Sequence, residues 1–342
     1  MKKIIIAAAV VAFAIAGYFG ISYYSKNLGN NVAKDGYILV PHKANFQQIL
    51  DSISPYLKDE AAFKNVAIEK GMDQHWQAGR YKIEEGKSNR DLVNMIKAGN
   101  QTENSFRIGD FFDVYQMIGK VSNKTEIDSA TFAKELNAIA VKKGYQNAED
   151  LKKYFFIDTY HFFWTVTPEE FFKKFEDQYK DFWTADRIEK EKQSGLSREQ
   201  IYALASIVYK ESGGKTDEQK TIAGLYLNRF RKGMKLQSDP TVIYAVNKST
   251  NFQSHIRRVL YKDLKTPSPY NTYANAGIPP GPICVTDKNS VDAVLNAEKN
   301  SYIFMCADPQ RPGLHKFTDN DQEHARNAKA YQDWLNSKNI KN

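Results

Sequence analysis

The stretch "SREQIYALASIVYKESGG", Ser197 to Gly214, opens on a capping box and closes on two glycines, and this punctuation delimits one complete helix. Ser197 is placed to accept from first-turn amides while Gln200 reaches back to the backbone. Ile201, Leu204, Ala205 and Val208 then recur at helical spacing along one face. Glu211 follows Val208 by three positions and Leu204 by seven, so its carboxylate points where the apolar residues point. It also sits in the last turn, where the carbonyl end of the helix dipole disfavours a further negative charge. Burial and dipole both push such a carboxyl up from its ordinary value of about 4.3. A carboxyl that keeps its proton near neutral pH can serve as a general acid. A solvated glutamate, or one paired with Lys210 or Lys215, is the plainer alternative that the pattern leaves open.

The residues that follow add polar groups in apolar company. Thr216 to Gln219 reads as the cap of a second helix carrying Ile222, Leu225, Tyr226 and Leu227, with Asn228 near its buried side. An asparagine there must find partners. "LQSDPTVIYA", from Leu236, sets Gln237 ahead of Asp239 and Pro240, an N-cap and first-turn pair that starts a third helix. Capping is the primary role read for Asp239, and a second catalytic carboxylate the lesser one. "PSPYNTYANAGIPPGPI", Pro267 to Ile283, is a rigid loop carrying Tyr270, Asn271, Thr272 and Tyr273, suited to holding binding groups or to serving as a connector.

At 342 residues the chain has room for two domains. A net charge of +8 suits an anionic membrane surface, an acidic wall polymer or nucleic acid, and does not choose among them. The two cysteines, Cys284 and Cys306, lack the spacing and the histidine neighbours of a zinc site; they read as buried fillers, open to one pairing. The N-terminus discriminates better. Lys2 and Lys3 precede an uncharged, largely apolar run from Ile4 to Tyr24 that is long enough to span a bilayer. Ala14-Ile15-Ala16 is a weak cleavage site, so an uncleaved anchor is favoured over a removed signal. The two lysines favour a cytoplasmic N-terminus, against the weaker pull of Lys26. The bulk of the chain then lies outside the membrane, which excludes nucleic acid as a partner.

After a polar linker the chain nearly repeats itself: "GYILVPHKANFQQILDSI" from Gly36 and "GRYKIEEGKSNRDLVNMI" from Gly79. Val40 matches Ile83, Asn45 matches Ser88, Ile49-Leu50 matches Leu92-Val93 and Ile53 matches Ile96. Each copy reads as a short strand, a capped start and a helix. The pair resembles LysM-type carbohydrate-binding modules, with a generic packing module as the other reading. Farther on, "YFFIDTYHFFW", Tyr154 to Trp164, reads as core, with His161 expected inside it.

The run "LASIVYKESG", "LYLNRFRKGMKLQSDPTVIYA", "YNTYANAGIPPGPI" and "LHKFTDNDQEHARN", with "DTY" at Asp158 and "AGRYKI" at Ala78, resembles the MltG (YceG-like) endolytic murein transglycosylases over most of the chain. The resemblance implies an α+β protein with an N-terminal membrane anchor over 1–27, a LysM-like module over 36–105, an aromatic-rich connecting region over 106–180 and a mainly helical catalytic domain with a small β element over 181–342. It implies cleavage of the β-1,4 bond between N-acetylmuramic acid and N-acetylglucosamine in peptidoglycan, leaving 1,6-anhydro ends, with no cofactor and no metal. Glu211 in "YKES" falls on the family's catalytic glutamate. Asn228, Gln237, Asp239, Tyr270 and Asn271 are the substrate-binding candidates. Tyr209, where the family commonly has a glutamate, and Ile157, where it commonly has proline, are departures. The implied partners are glycan strands, the cell membrane and peptidoglycan synthases, and the implied location is the inner membrane with the bulk on the extracytoplasmic side. A hydrolytic muramidase using Glu211 with Asp239 and a non-catalytic wall-binding scaffold are the alternatives the sequence leaves open.

Overall fold

The near-repeat is realised as a pairing of its two copies. In the computed structural model, which describes residues 2–253, 256 and 258–338, strands β1 (Gly36–Val40) and β2 (Gly79–Ile83) are antiparallel, with Gly36 opposite Ile83 and Val40 opposite Gly79. Met1, Ser254, His255, Arg257 and residues 339–342, the last of these the end of the expected catalytic segment, lie outside the described residues, as do the side chains of residues 2–4 and 8. The chain begins with α1 (Lys2–Leu28), whose stretch Ile5–Leu28 is long and apolar enough to cross a membrane, as an anchor or a signal sequence would be. Phe13, Tyr18, Phe19 and Ile21 stand exposed along it.

Between the paired strands run α2 (Phe46–Ile53) and α3 (Glu60–Glu69), and α4 (Asn89–Ala98) follows β2. The expected starts are both complete capping boxes: Asn45 with Gln48, and Ser88 with Asp91. Every apolar pair matched between the copies, from Val40 and Ile83 to Ile53 and Ile96, meets in one buried cluster with Ile38, Phe63 and Tyr81. Two short strands are marginal alone, and it is this helix-covered face that stabilises them.

The remaining elements are β3 (Asn104–Ile108), α5 (Val114–Ser122), α6 (Ser129–Lys142), β4 (Asp158–Phe162), α7 (Pro168–Phe182), α8 (Ala185–Ser194), α9 (Arg198–Ser212), α10 (Gln219–Arg231), α11 (Asp239–Ser249), α12 (Lys288–Leu295), β5 (Phe304–Ala307), β6 (His315–Thr318) and α13 (Asp321–Ser337). β3 pairs with β4, and β5 pairs antiparallel with β6. The chain separates into two units: residues 1–106, 122–128 and 161–167 form one, and 107–121, 129–160 and 168–342 the other. Residues 106–180 are therefore shared between the units.

The aromatic stretch supplies core in the second unit, where Phe155, Phe171 and Phe175 are fully buried and their rings meet edge-on or tilted. His161 departs from expectation, because β4 alternates: Tyr160 and Phe162 face inward and His161 is exposed. Helix α9 has the expected bounds, with the Ser197–Gln200 box at its start and Gly213 at φ 59° as its left-handed cap. Its burial exceeds a single face, since every residue from Ile201 to Val208 is buried. Two caps differ from the reading. Glu218, not Thr216, stands at the start of α10 and makes no side-chain cap there. At α11 the cap position belongs to Ser238, with Asp239 and Pro240 in the first turn, and again no side chain caps the helix. Both cysteines are free thiols, Cys284 buried and Cys306 partly so.

Candidate active site

Helix α9 delivers Glu211 in its last turn to a cavity of about 330 Å³ within the second unit. Leu225, Tyr226 and Arg229 of α10, Leu236, Gln237 and Asp239 at the entry to α11, Tyr273 of the proline-rich loop, Met305 of β5 and His324 of α13 complete its walls. Glu211 keeps a minor part of its surface open to solvent, and protein atoms enclose the rest.

The carboxylate is held on one oxygen. Tyr226 Oη donates to Glu211 Oε1 at 2.8 Å and Ser238 Oγ donates to the same oxygen at 2.5 Å. This explains the uncapped start of α11: Ser238 occupies the position from which a serine would ordinarily accept a helix amide, and turns its hydroxyl to Glu211 instead. Loss of water around the carboxyl pushes its pKa up, against the downward pull of the Ser238 and Tyr226 hydrogen bonds and of His315 nearby; Asp239 adds to the rise. Burial raises the Tyr226 phenol well above its ordinary value, so it stays a donor.

The rest of the cavity is fixed by its own bonds. Arg229, a buried cation, donates through Nε to Ile303 O at 2.6 Å and through Nη1 to Leu236 O at 2.8 Å, and burial lowers its pKa. Gln237 holds a left-handed backbone at φ 51°, uncommon for a side chain with a Cβ, which places it on the wall beside Arg229. Tyr273 Oη donates to Asp239 Oδ1 at 2.7 Å. His315 is fixed by Glu218, whose carboxylate accepts from the His315 amide at 2.9 Å and lies 2.9 Å from Nδ1.

Of the six sequence candidates, Glu211, Gln237 and Asp239 meet in this cavity. The other three lie elsewhere. Asn228 lines a different cavity and spends its amide on Asn300 O at 2.9 Å and Tyr302 O at 3.0 Å, tying α10 to the segment before β5. Tyr270 lines a third cavity, beside Lys152, Lys153 and Lys248, with its ring 4.7 Å from that of Tyr244. Asn271 is fully buried and braces its loop, donating to Leu264 O and Thr266 O and accepting from the Tyr273 amide at 3.0 Å, so it reaches the cavity only through Tyr273. Tyr226, Ser238, Arg229 and His324 were not singled out by sequence. The one sequence signal for this group is Ser238 immediately before Asp-Pro, a cap position one residue ahead of the one expected at Asp239.

The YceG-like family profile matches residues 38–330. An endolytic murein transglycosylase of Bacillus subtilis is 30% identical over 94% of this chain and 92% of its own. A protein of the same description from Streptococcus pneumoniae is 25% identical over 91% of this chain, which spans 62% of that longer protein. The crystal structure of a protein described as yceG-like from Listeria monocytogenes superposes with a TM-score of 0.57 at 23% identity, covering 86% of this chain and 98% of that one.

Proposed function

The chain belongs to the YceG-like family, and on that premise we infer that it is an endolytic murein transglycosylase in which Glu211 is the single acid and base. The observation that carries the reading is a carboxyl of raised pKa, held on one oxygen and facing a cavity large enough for a sugar ring. Protonated Glu211 gives its proton to the oxygen of the β-1,4 bond as that bond to muramoyl C1 breaks. The carboxylate so formed takes the proton of the muramoyl C6 hydroxyl, whose oxygen bonds to C1 and closes the 1,6-anhydro ring. No water is consumed, which separates this reaction from the two-carboxylate hydrolysis of ordinary glycosidases.

Asp239 shares the cavity, so a hydrolytic muramidase is the competing reading. Product analysis divides the two: glycan strands digested by the full chain and examined by mass spectrometry should carry anhydro ends, and reducing ends in their place would transfer the reaction to the muramidase.

The α1 helix acts as an uncleaved single-pass anchor with the bulk of the chain extracytoplasmic, near nascent strands and the synthases that make them. The unit containing β1 and β2 is LysM-like and grips glycan, a reading supported by its strand, helix, helix, strand order.

A further inference from the structure

We propose that Ser238 and Tyr226 are positioning residues that occupy Oε1 of Glu211 and thereby assign the transferred proton to Oε2. This rests on the reading of Glu211 as acid and base, and adds which of its oxygens reacts and what makes the choice.

A carboxyl oxygen offers two lone pairs. Oε1 spends both, on Tyr226 Oη and Ser238 Oγ. The acid form then has no place for its proton on Oε1, and Oε2, which accepts no hydrogen bond among the described residues, must carry it. The same oxygen, once bare, is the one able to take the C6 hydroxyl proton, so both transfers run through a single atom while its partner stays clamped. The clamp is built from two elements that α9 does not control: Tyr226 comes from α10, and Ser238 from the start of α11. Ser238 gives up its cap bond to take part, a sacrifice that on average costs about as much as a cap contributes and that helix formation alone does not explain.

The other titratable groups around the carboxyl are Arg229 of α10, Asp239 of α11, His315 of β6, His324 of α13 and Tyr273 of the loop. Lys210, next to Glu211 in sequence, is turned to Asp110 at 2.5 Å. None of the donors to Oε1 is ionised at neutral pH, so their effect is to hold the carboxylate by hydrogen bonding, and removing one makes the proton harder to release.

The test is the pH dependence of anhydro-end release at saturating glycan by the full-length protein in nanodiscs. Activity needs the acid form, so it falls as pH rises through the Glu211 pKa. In Ser238→Ala that falling limb should move up by about one pH unit, the size expected for a lost hydrogen bond to a charged group. Tyr226→Phe should move it the same way, and Ser238→Thr, which restores a hydroxyl, should return it. A merely structural role would lower the plateau and leave the limb in place. Should the limbs of Ser238→Ala and Tyr226→Phe superimpose on the wild type, the clamp is refuted even though the wild type makes anhydro ends. If the wild type makes none, the reading of Glu211 falls and takes the clamp with it.

Discussion

Replacing Glu211 by Gln tests chemistry and stability in one protein. The amide keeps an oxygen to accept from Ser238 and Tyr226 and sets an NH2 group in the place of Oε2, so the local packing is retained. Both proton transfers are lost. General acid–base catalysis contributes typically about 10²–10⁴-fold, and one residue here supplies both the acid and the base, so activity should fall at least that far, roughly 3–5 kcal/mol of barrier. Stability moves the other way. The folded pKa of Glu211 is raised, so its carboxyl favours folding fully below the ordinary range and loses that contribution as pH rises through the folded value. Neutral pH lies above the unfolded value, so the carboxyl no longer makes its full contribution there; the amide also removes the charge–dipole cost at the helix C-terminus, about 0.3–1 kcal/mol, and should raise Tm by about 1–4 °C. Near pH 3, well below the ordinary value of about 4.3, the carboxyl is protonated in both states and the gain should vanish. The assay pairs anhydro-end release with thermal melts at the two pH values. Near wild-type turnover by the folded variant would remove Glu211 from the chemistry, and a lower Tm at neutral pH would show that its carboxyl stabilises the fold.

Three further outcomes are expected. Asp239→Asn keeps an acceptor for Tyr273 and forfeits only a first-turn charge, about 0.3–1 kcal/mol, so anhydro-end release should stay within several-fold of wild type; abolition in a folded protein would restore the two-carboxylate reading. Asn228→Ala leaves the carbonyls of Asn300 and Tyr302 without their donor and should cost about 1–3 kcal/mol in chemical denaturation while the folded fraction retains its kcat; a selective loss of kcat would return Asn228 to substrate binding. The mature protein should retain its N-terminus and fractionate with membranes, checked by N-terminal sequencing, and recovery of a soluble chain beginning near Gly17 would remove the anchor.

How much could be read beforehand depended on how local the determining interaction was. The Ser197–Gln200 box, the glycine stop and the matched capping boxes at Asn45 and Ser88 are all contained within a few residues, and each stands in the structure where the spacing put it. The helix face of Glu211 is local in the same way, but the burial that raises its pKa comes from α10, α11 and α13, far along the chain. His161 is exposed because strand alternation, not the aromatic composition around it, decides which way it faces. Asn228, Tyr270 and Asn271 are polar groups in unusual places, and sequence cannot say whether such a group is satisfied by a ligand or by a carbonyl far along the chain; here Asn300 and Leu264 satisfy two of them. Ser238 was hidden by the opposite effect, since a serine before Asp-Pro has a sufficient local explanation as a cap and its actual partner lies 27 residues away.

That no water enters the reaction can be checked by digesting glycan strands with the full-length protein in heavy-oxygen water and weighing the new ends. Transglycosylation leaves muramoyl ends one water lighter than a hydrolysed end and free of heavy oxygen. Muramoyl ends that carry the label at C1 in the primary product would contradict it.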